Sequence, residues 1–237
     1  MGLNSFIGQE RIKHNLNVYI YSAKKRDESL DHILLCGPQG VGKETLARAI
    51  ASDMGVDIKV TSGPAIEKAL DLSAMLSKLE KGDILYIDEI HRLNRNVEKI
   101  LYPAMEDFTL DMVTGAGAMA SSLRLQLKHF TLIGATTSEV LVSTHLRERF
   151  DIKFRLNPYS LDEMAQFIKM FAKDLKIKIE DDAVIKIAKA SNGVPLEAKN
   201  LLKRVQDFAV FNNSSIISEN IANKAVLYTT FEDACDI

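Results

Sequence analysis

A parallel β-sheet with helices on both faces, followed by a small all-helical domain, is the fold class this sequence predicts. Three observations carry that expectation. Short apolar runs alternate with helix-periodic segments up to about residue 155, as in a buried parallel sheet. One such run, His32–Cys36, feeds Gly37-Pro38-Gln39-Gly40-Val41-Gly42-Lys43-Glu44-Thr45 and then a helical stripe. That order is strand, phosphate loop, helix. After Pro158 the apolar spacing is helical only.

The elements follow in turn. Ile12, Leu16, Tyr19, Ile20 and Ala23 form an apolar stripe at helical spacing over residues 10–24. The helix after the phosphate loop runs through Leu46, Ala49 and Ile50, and Gly55 is its stop. Ile58–Thr61 is a strand; Leu72, Met75, Leu76 and Leu79 mark a helix ending near Gly82. Ile84–Ile87 is a buried strand that delivers Asp88 and Glu89. A helix carries Val97, Ile100, Leu101, Ala104 and Met105. Residues 110–127 predict a hairpin with its turn around Gly115–Gly117. Phe130–Ile133 is a strand ending in Gly134-Ala135-Thr136-Thr137, and Ile152–Phe154 is the last strand. Ser160 and Glu163 form a capping box that opens a helix with Met164, Phe167, Ile168 and Phe171 inward. Further helices are expected near residues 181–191, 196–211 and 218–228. The boundary lies at 155–159, giving domains 1–156 and 157–237.

Bulk composition narrows the function. The 237 residues are 46% hydrophobic and 26% charged, with net charge −2. No global basic field advertises nucleic acid, so DNA contact would be local or made through partners. Cys36 and Cys235 are too far apart to form a metal spacing, and Cys36 is expected as a reduced core thiol. No membrane-spanning apolar run and no signal-peptide pattern occur, so a cytoplasmic location is expected.

The chemistry concentrates at strand ends. Gly37, Gly40, Gly42 and Lys43 fit the pattern G-x-x-x-x-G-K-[ST]. The glycines let backbone N–H groups crowd the phosphates of a nucleotide, and Lys43 would reach the β- and γ-phosphates. The next position normally supplies a hydroxyl to Mg²⁺, and here it is Glu44. Asp88-Glu89 after an apolar strand is a Walker B pattern, with Asp88 for Mg²⁺ and Glu89 to orient water. Thr137 ends a strand placed between the two motif strands, either as a sensor of the γ-phosphate or as a turn residue. Arg149 is either an arginine finger for a neighbouring subunit or a surface ion-pairing residue. His91 and Arg92 read as supporting or intersubunit groups, or as a solvated helix start.

Taken together, Phe6-Ile7-Gly8-Gln9, Leu30-Asp31-His32-Ile33-Leu34-Leu35, Thr61-Ser62-Gly63-Pro64-Ala65, Gly82-Asp83, Asp88-Glu89-Ile90-His91-Arg92-Leu93, Glu106-Asp107-Phe108 and Phe130–Thr137 resemble the RuvB family of AAA+ motors. The similarity runs from about residue 5 to about residue 228, and Asp-Glu-Ile-His-Arg-Leu is its most specific string. The resemblance implies ATP and Mg²⁺ at subunit interfaces of a hexameric ring around duplex DNA. It also implies branch migration of Holliday junctions, with a RuvA-like partner docked on the hairpin 110–127. By resemblance, Gly40, Lys43 and Thr45 bind phosphates, Asp88 and Glu89 handle metal and water, Thr137 is the sensor and Arg149 the finger. Ile7 lines the adenine, Tyr159 lies near the nucleotide, and Glu106, Asp107 and Phe108 are nucleotide-contacting positions.

The departures from that family are as informative. Glu44 stands in place of the metal-ligating Thr, and is itself the alternative metal ligand beside Asp88. Gly193-Val194-Pro195-Leu196 replaces Gly-Thr-Pro-Arg, so the arginine that reads the γ-phosphate is Leu196. Asn200 and Ser138 also stand where the family has arginine, and the Leu-Arg-Pro lead that packs on the base is missing. The winged-helix domain is expected to be absent. An unpaired carboxylate at about 5 Å from phosphate costs roughly 3 kcal/mol at an effective dielectric near 20. Slow turnover is therefore expected. The alternative is a non-catalytic subunit that binds RuvA or full-length RuvB.

Overall fold

The computed structural model describes residues 2–114 and 121–229. Its contacts divide the chain into two units: Met1–Phe6, Glu10–Gly37 and Lys43–Leu156 in the first, Ile7–Gln9, Pro38–Gly42 and Asn157–Ile237 in the second. Segments 7–9 and 38–42 group with the second unit.

The first unit is built on five parallel strands: β1 (Ile33–Cys36), β2 (Ile58–Ser62), β3 (Ile84–Asp88), β6 (Thr131–Thr136) and β7 (Ile152–Arg155), in the order β2-β3-β6-β1-β7. Every residue of β1 and β6 is buried, which is why these strands read as continuous apolar runs rather than alternating ones. The register pairs Cys36 with Thr136 and Ile87 with Gly134. The C-terminal ends of β1, β6 and β3 therefore share one edge of the sheet. Gly134 leaves room there for the core side chains: a Cβ would stand 2.8 Å from Ile90 Cδ1 and 2.9 Å from Phe150 Cζ, so both would have to shift.

The helices are α1 (Glu10–Arg26), α2 (Lys43–Met54), α3 (Ala69–Leu76), α4 (Arg95–Glu106) and the short α5 (Thr144–Glu148). Helix α1 buries Ile12, Leu16, Ile20 and Ala23, but Tyr19 is 39% exposed and lies off the stripe. Helix α3 stops at Leu76, although Leu79 beyond it still enters the core. One continuous core joins Leu34, Leu85, Ile87, Leu101, Phe130, Leu132 and Phe150. Strands β4 (Thr109–Thr114) and β5 (Ser121–Gln126) form the expected antiparallel hairpin; its Gly115–Gly117 turn lies outside the described residues, as does Cys235. Cys36 is a free, buried thiol, and burial pushes its pKa up, so it is inert.

The second unit carries α6 (Leu161–Asp174), α7 (Asp181–Ala190), α8 (Pro195–Phe211) and α9 (Glu219–Thr229). The Ser160–Glu163 capping box is formed in both directions. Helix α6 buries Met164, Ile168 and Ala172, with Phe167 and Phe171 at the margin. The unit is not purely helical: Lys178–Ile179 (β8) pairs in parallel with Ile216–Ile217 (β9). Two-residue strands carry no readable periodicity, so sequence patterning misses them. Among the described residues no helix is long and apolar enough to cross a membrane.

A buried histidine gives the fold a pH limit. His32 Nδ1 accepts from Leu132 N–H at 2.9 Å, so its proton sits on Nε2, which donates to the Met105 carbonyl at 3.1 Å. Burial lowers its pKa. The unfolded chain therefore binds a proton, with pKa about 6.5, that the folded chain refuses. Stability from this site is complete above that pKa and is lost as pH falls below it. Thermal melting measured from about pH 8 to pH 5 should fall with acid, and His32→Gln should flatten that slope.

Candidate functional site

The phosphate loop leaves β1 at Gly37, whose N–H bonds the Thr136 carbonyl of β6 at 3.1 Å. Gly40 and Gly42 have φ of +76° and +101°, values an L side chain resists. The loop then opens α2, whose first-turn N–H groups lack helical partners and favour an anion. Lys43 is buried, and its Nζ donates to the Gly37 carbonyl at 2.8 Å. Burial lowers its pKa, opposed by the charges of Asp88 and Glu89. A cation held this way fits a phosphate group, since charge from the ligand would repay its desolvation.

Strand β3 delivers the acids to the same edge of the sheet. Asp88 Oδ1 accepts from Glu89 N–H at 3.0 Å and from the Tyr86 hydroxyl at 3.5 Å. Tyr86 is fully buried, and burial together with the Asp88 charge raises its phenol pKa. The phenol therefore stays a donor beneath Asp88. Glu89 adopts a left-handed backbone, φ +47°, and its carboxylate pairs with Arg92 at 2.9 Å. Among the described residues no group of three His, Cys, Asp or Glu could hold a metal. Mg²⁺ bound through one carboxylate plus phosphate oxygens and water needs no such group, so Asp88 fits a nucleotide-borne ion.

Glu44, expected as an alternative metal ligand, has a partner within α2. It is half-exposed and grips Arg48 one turn along α2, at 2.7 Å to Nη2 and 2.9 Å to Nε. Thr45 is exposed. The i,i+4 spacing of Glu44 and Arg48 on α2 is the sequence signal for this pair.

At the end of β6 the structure distinguishes two adjacent threonines. Thr137 lies one residue past the strand and is exposed. Thr136 is the buried one: its hydroxyl donates to the Ser138 carbonyl at 2.9 Å, leaving the oxygen to accept from His91 Nδ1 at 3.0 Å. His91 thus ties the loop after β3 to the end of β6. No periodicity within a fully buried strand reveals which threonine turns inward.

Arg149 follows α5. Its partners are Glu106 at 2.9 Å, the His145 carbonyl at 2.5 Å, and the Tyr102 ring at 4.1 Å from the guanidinium carbon. None of these belongs to the phosphate loop or to the Asp88–Glu89 pair. Phe108 stands at the other edge of the sheet, stacked on His129 at 4.0 Å and against His32 and Phe130. His32 and Phe130 precede β1 and β6, whereas Lys43 comes after their far ends. The structure therefore does not bring Phe108 to this chain's own phosphate loop. Asp107 is the exposed C-cap of α4.

The second unit contains the remaining predicted residues. Tyr159 is buried; its hydroxyl donates to the Val41 carbonyl at 3.1 Å, its N–H bonds the Gly193 carbonyl at 2.8 Å, and its ring meets Phe167 edge-on at 4.9 Å. Burial raises its pKa. Ile7, half-buried, precedes Gly8, where a Cβ would strike Glu163 and Tyr159. Leu196, 45% exposed at the start of α8, donates its N–H to the Gly40 carbonyl at 3.4 Å. A Cβ on Gly40 would stand 2.5 Å from Leu196 Cβ.

Comparison with known proteins gives a consistent result. Residues 1–156 match the model of the Holliday junction DNA helicase RuvB P-loop domain, and residues 159–231 match that of the RuvB AAA lid domain. A RuvB subunit of the Holliday junction branch migration complex from Campylobacter hominis is 50% identical over 223 residues, covering 94% of this chain. The chain spans 66% of that relative's length, slightly under two thirds. The Thermotoga maritima RuvB Holliday junction branch migration motor superposes with TM-score 0.85 at 43% identity, over 96% of this chain and 71% of that one. A point mutant of the same motor gives 0.87.

Proposed function

Because the chain belongs to the RuvB family of P-loop AAA ATPases, we propose that it binds Mg-ATP and hydrolyses it slowly within a ring of like subunits. The ring moves Holliday-junction or duplex DNA together with a RuvA-like partner docked on the β4–β5 hairpin. The observation that carries the reading is the buried Lys43 ammonium at the Gly37 carbonyl, set in the field of Asp88 and Glu89. A positive charge is buried at some cost where a polyphosphate would need it.

The residues divide the work. Lys43 and the loop N–H groups bind the phosphates. Asp88, fixed by Tyr86 and by the Glu89 N–H, holds the metal side. Mg²⁺, carried in with the nucleotide, neutralises phosphate charge. Glu89 orients the attacking water through its carboxylate, which must first leave Arg92. Thr136 and His91 brace the end of β6 beside it. Arg149 reaches the site of a neighbouring subunit. Tyr159 and Ile7 flank the base.

The Glu44–Arg48 pair favours a second reading, a subunit that binds nucleotide or partner without turnover. The hydroxyl for the metal is missing, and the carboxylate in its place is engaged. Nucleotide affinity and steady-state ATPase should be measured on one preparation, with and without Mg²⁺, junction DNA and a RuvA-like protein. Slow turnover stimulated by the additions is the expected result. Binding without turnover in every condition selects the second reading, and absence of binding overturns both.

A further inference from the structure

We infer that one face of α4 is a positioning scaffold for Arg149, formed by Glu98, Tyr102 and Glu106. The inference rests on the reading of Arg149 as the group that serves a neighbouring subunit's nucleotide. The three residues recur every fourth position, so they stack on consecutive turns of one helix face.

Each makes a different hold. Glu98 is only 9% exposed, and a carboxylate at that depth requires hydrogen-bond donors. It receives the Tyr102 hydroxyl at 2.5 Å and the Ser143 hydroxyl. Ser143 is the N-cap of α5 and accepts from Leu146 N–H at 3.2 Å. Glu98 thus fixes the start of the short helix that ends in Arg149. The Tyr102 ring, held by that same carboxylate, lies against the guanidinium at 4.1 Å in cation–π contact. Glu106 pairs with the guanidinium Nη2 at 2.9 Å, and the His145 carbonyl takes Nη1 at 2.5 Å.

One nitrogen is left without a partner. Arg149 Nε is buried and has no hydrogen-bond partner among the described residues. An incoming anion would meet the part of the side chain that stays exposed, 21%, not this buried nitrogen. A guanidinium clamped on two sides suits a group pre-oriented for an anion supplied by another chain. A finger held in advance need not be frozen out of its many rotamers at each encounter. Tyr102, Glu98 and Glu106 are positioning residues, acting through Arg149.

Mixed rings separate the scaffold from a general structural role. One subunit carries Arg149→Ala with its phosphate loop intact; the other carries Lys43→Ala and donates the finger. Turnover in the mixture is served by the donor's Arg149. Adding Tyr102→Ala to the donor should cut that turnover by roughly 100-fold, the cost of a misplaced catalytic group, with KM for ATP unchanged. Tyr102→Phe should recover most of it. Adding Tyr102→Ala to the Arg149→Ala subunit should change nothing further. Equal losses from both placements, or none from the donor, overturn the scaffold. An Arg149→Ala protein with full activity overturns the finger reading itself.

A second measurement does not depend on turnover or on the fold surviving Tyr102→Ala. In ¹⁵N-labelled protein the Arg149 Nε–H resonance, assigned by its loss in Arg149→Lys, should be protected from exchange. It should lose protection in the mild variant Glu106→Gln. A resonance unchanged in that variant also overturns the scaffold.

Discussion

Arg149→Ala is expected to lower ATP turnover by about 10³-fold or more, the usual worth of an arginine finger, while nucleotide affinity stays nearly constant. The two effects separate because Arg149 is engaged by Glu106, Tyr102 and the His145 carbonyl, not by the residues that would grip phosphate in its own subunit. Removing a group used only in the transition state lowers kcat and kcat/KM together and leaves ground-state binding alone. Steady-state ATPase alongside nucleotide titration checks this. Turnover within a fewfold of the parent would make Arg149 an ion-pairing residue of the α4–α5 corner and nothing more.

The second large effect is a gain. Glu44→Thr combined with Leu196→Arg should raise ATP turnover, because it restores a hydroxyl for the metal and a cation for the γ-phosphate. The structure changes how the first half of that gain arises. Glu44 is not an unpaired charge aimed at phosphate; Arg48 holds it along α2. Arg48 therefore counters part of the roughly 3 kcal/mol repulsion expected for a bare carboxylate, an exposed pair of this spacing being worth a few tenths of a kcal/mol. What Glu44→Thr adds is the missing ligand, worth roughly 10–100-fold by analogy with losses of metal-supporting groups. Leu196 is half-exposed at the first turn of α8, so an arginine can extend from the same Cβ. A charge-assisted contact from it is worth about 1.5–3 kcal/mol. Arg48→Ala is the control: it unpairs Glu44 and should weaken nucleotide binding in the parent but not in the Glu44→Thr background. A double variant that binds nucleotide as before and turns over no faster would refute this account of the slow step.

The contrast between Glu44 and Thr136 shows where reading a sequence succeeds. Glu44–Arg48 was within reach, because a helix puts residues four apart on one face and both positions lay in an identified helix. Thr136 against Thr137 was not. Both follow an apolar run, β6 is buried on both faces, and no alternation marks inside from outside. Tyr19 is a similar case: its spacing fits the apolar stripe of α1, but its position at the margin is set by what packs opposite. Phe108 is the clearest case of distance in space. It is two residues past Glu106 in the chain, yet it packs on His129, His32 and Phe130, at the edge of the sheet where β1 and β6 begin.

Local patterning alone carries the alternation of strands and helices, the phosphate loop with its lysine, the acidic pair at the end of β3, the hairpin strands and the helix-capping box. These rest on local rules: period, glycine conformation and caps act over a few residues, and the chain carries them wherever it goes. Packing across the fold set the strand order that places β6 between β1 and β3, the burial of Thr136 rather than Thr137, the pairing of Glu44 with Arg48 and the clamp of α4 on Arg149. Each of these depends on which surfaces meet across the fold. Burial, not spacing, selects among groups that look equivalent in sequence.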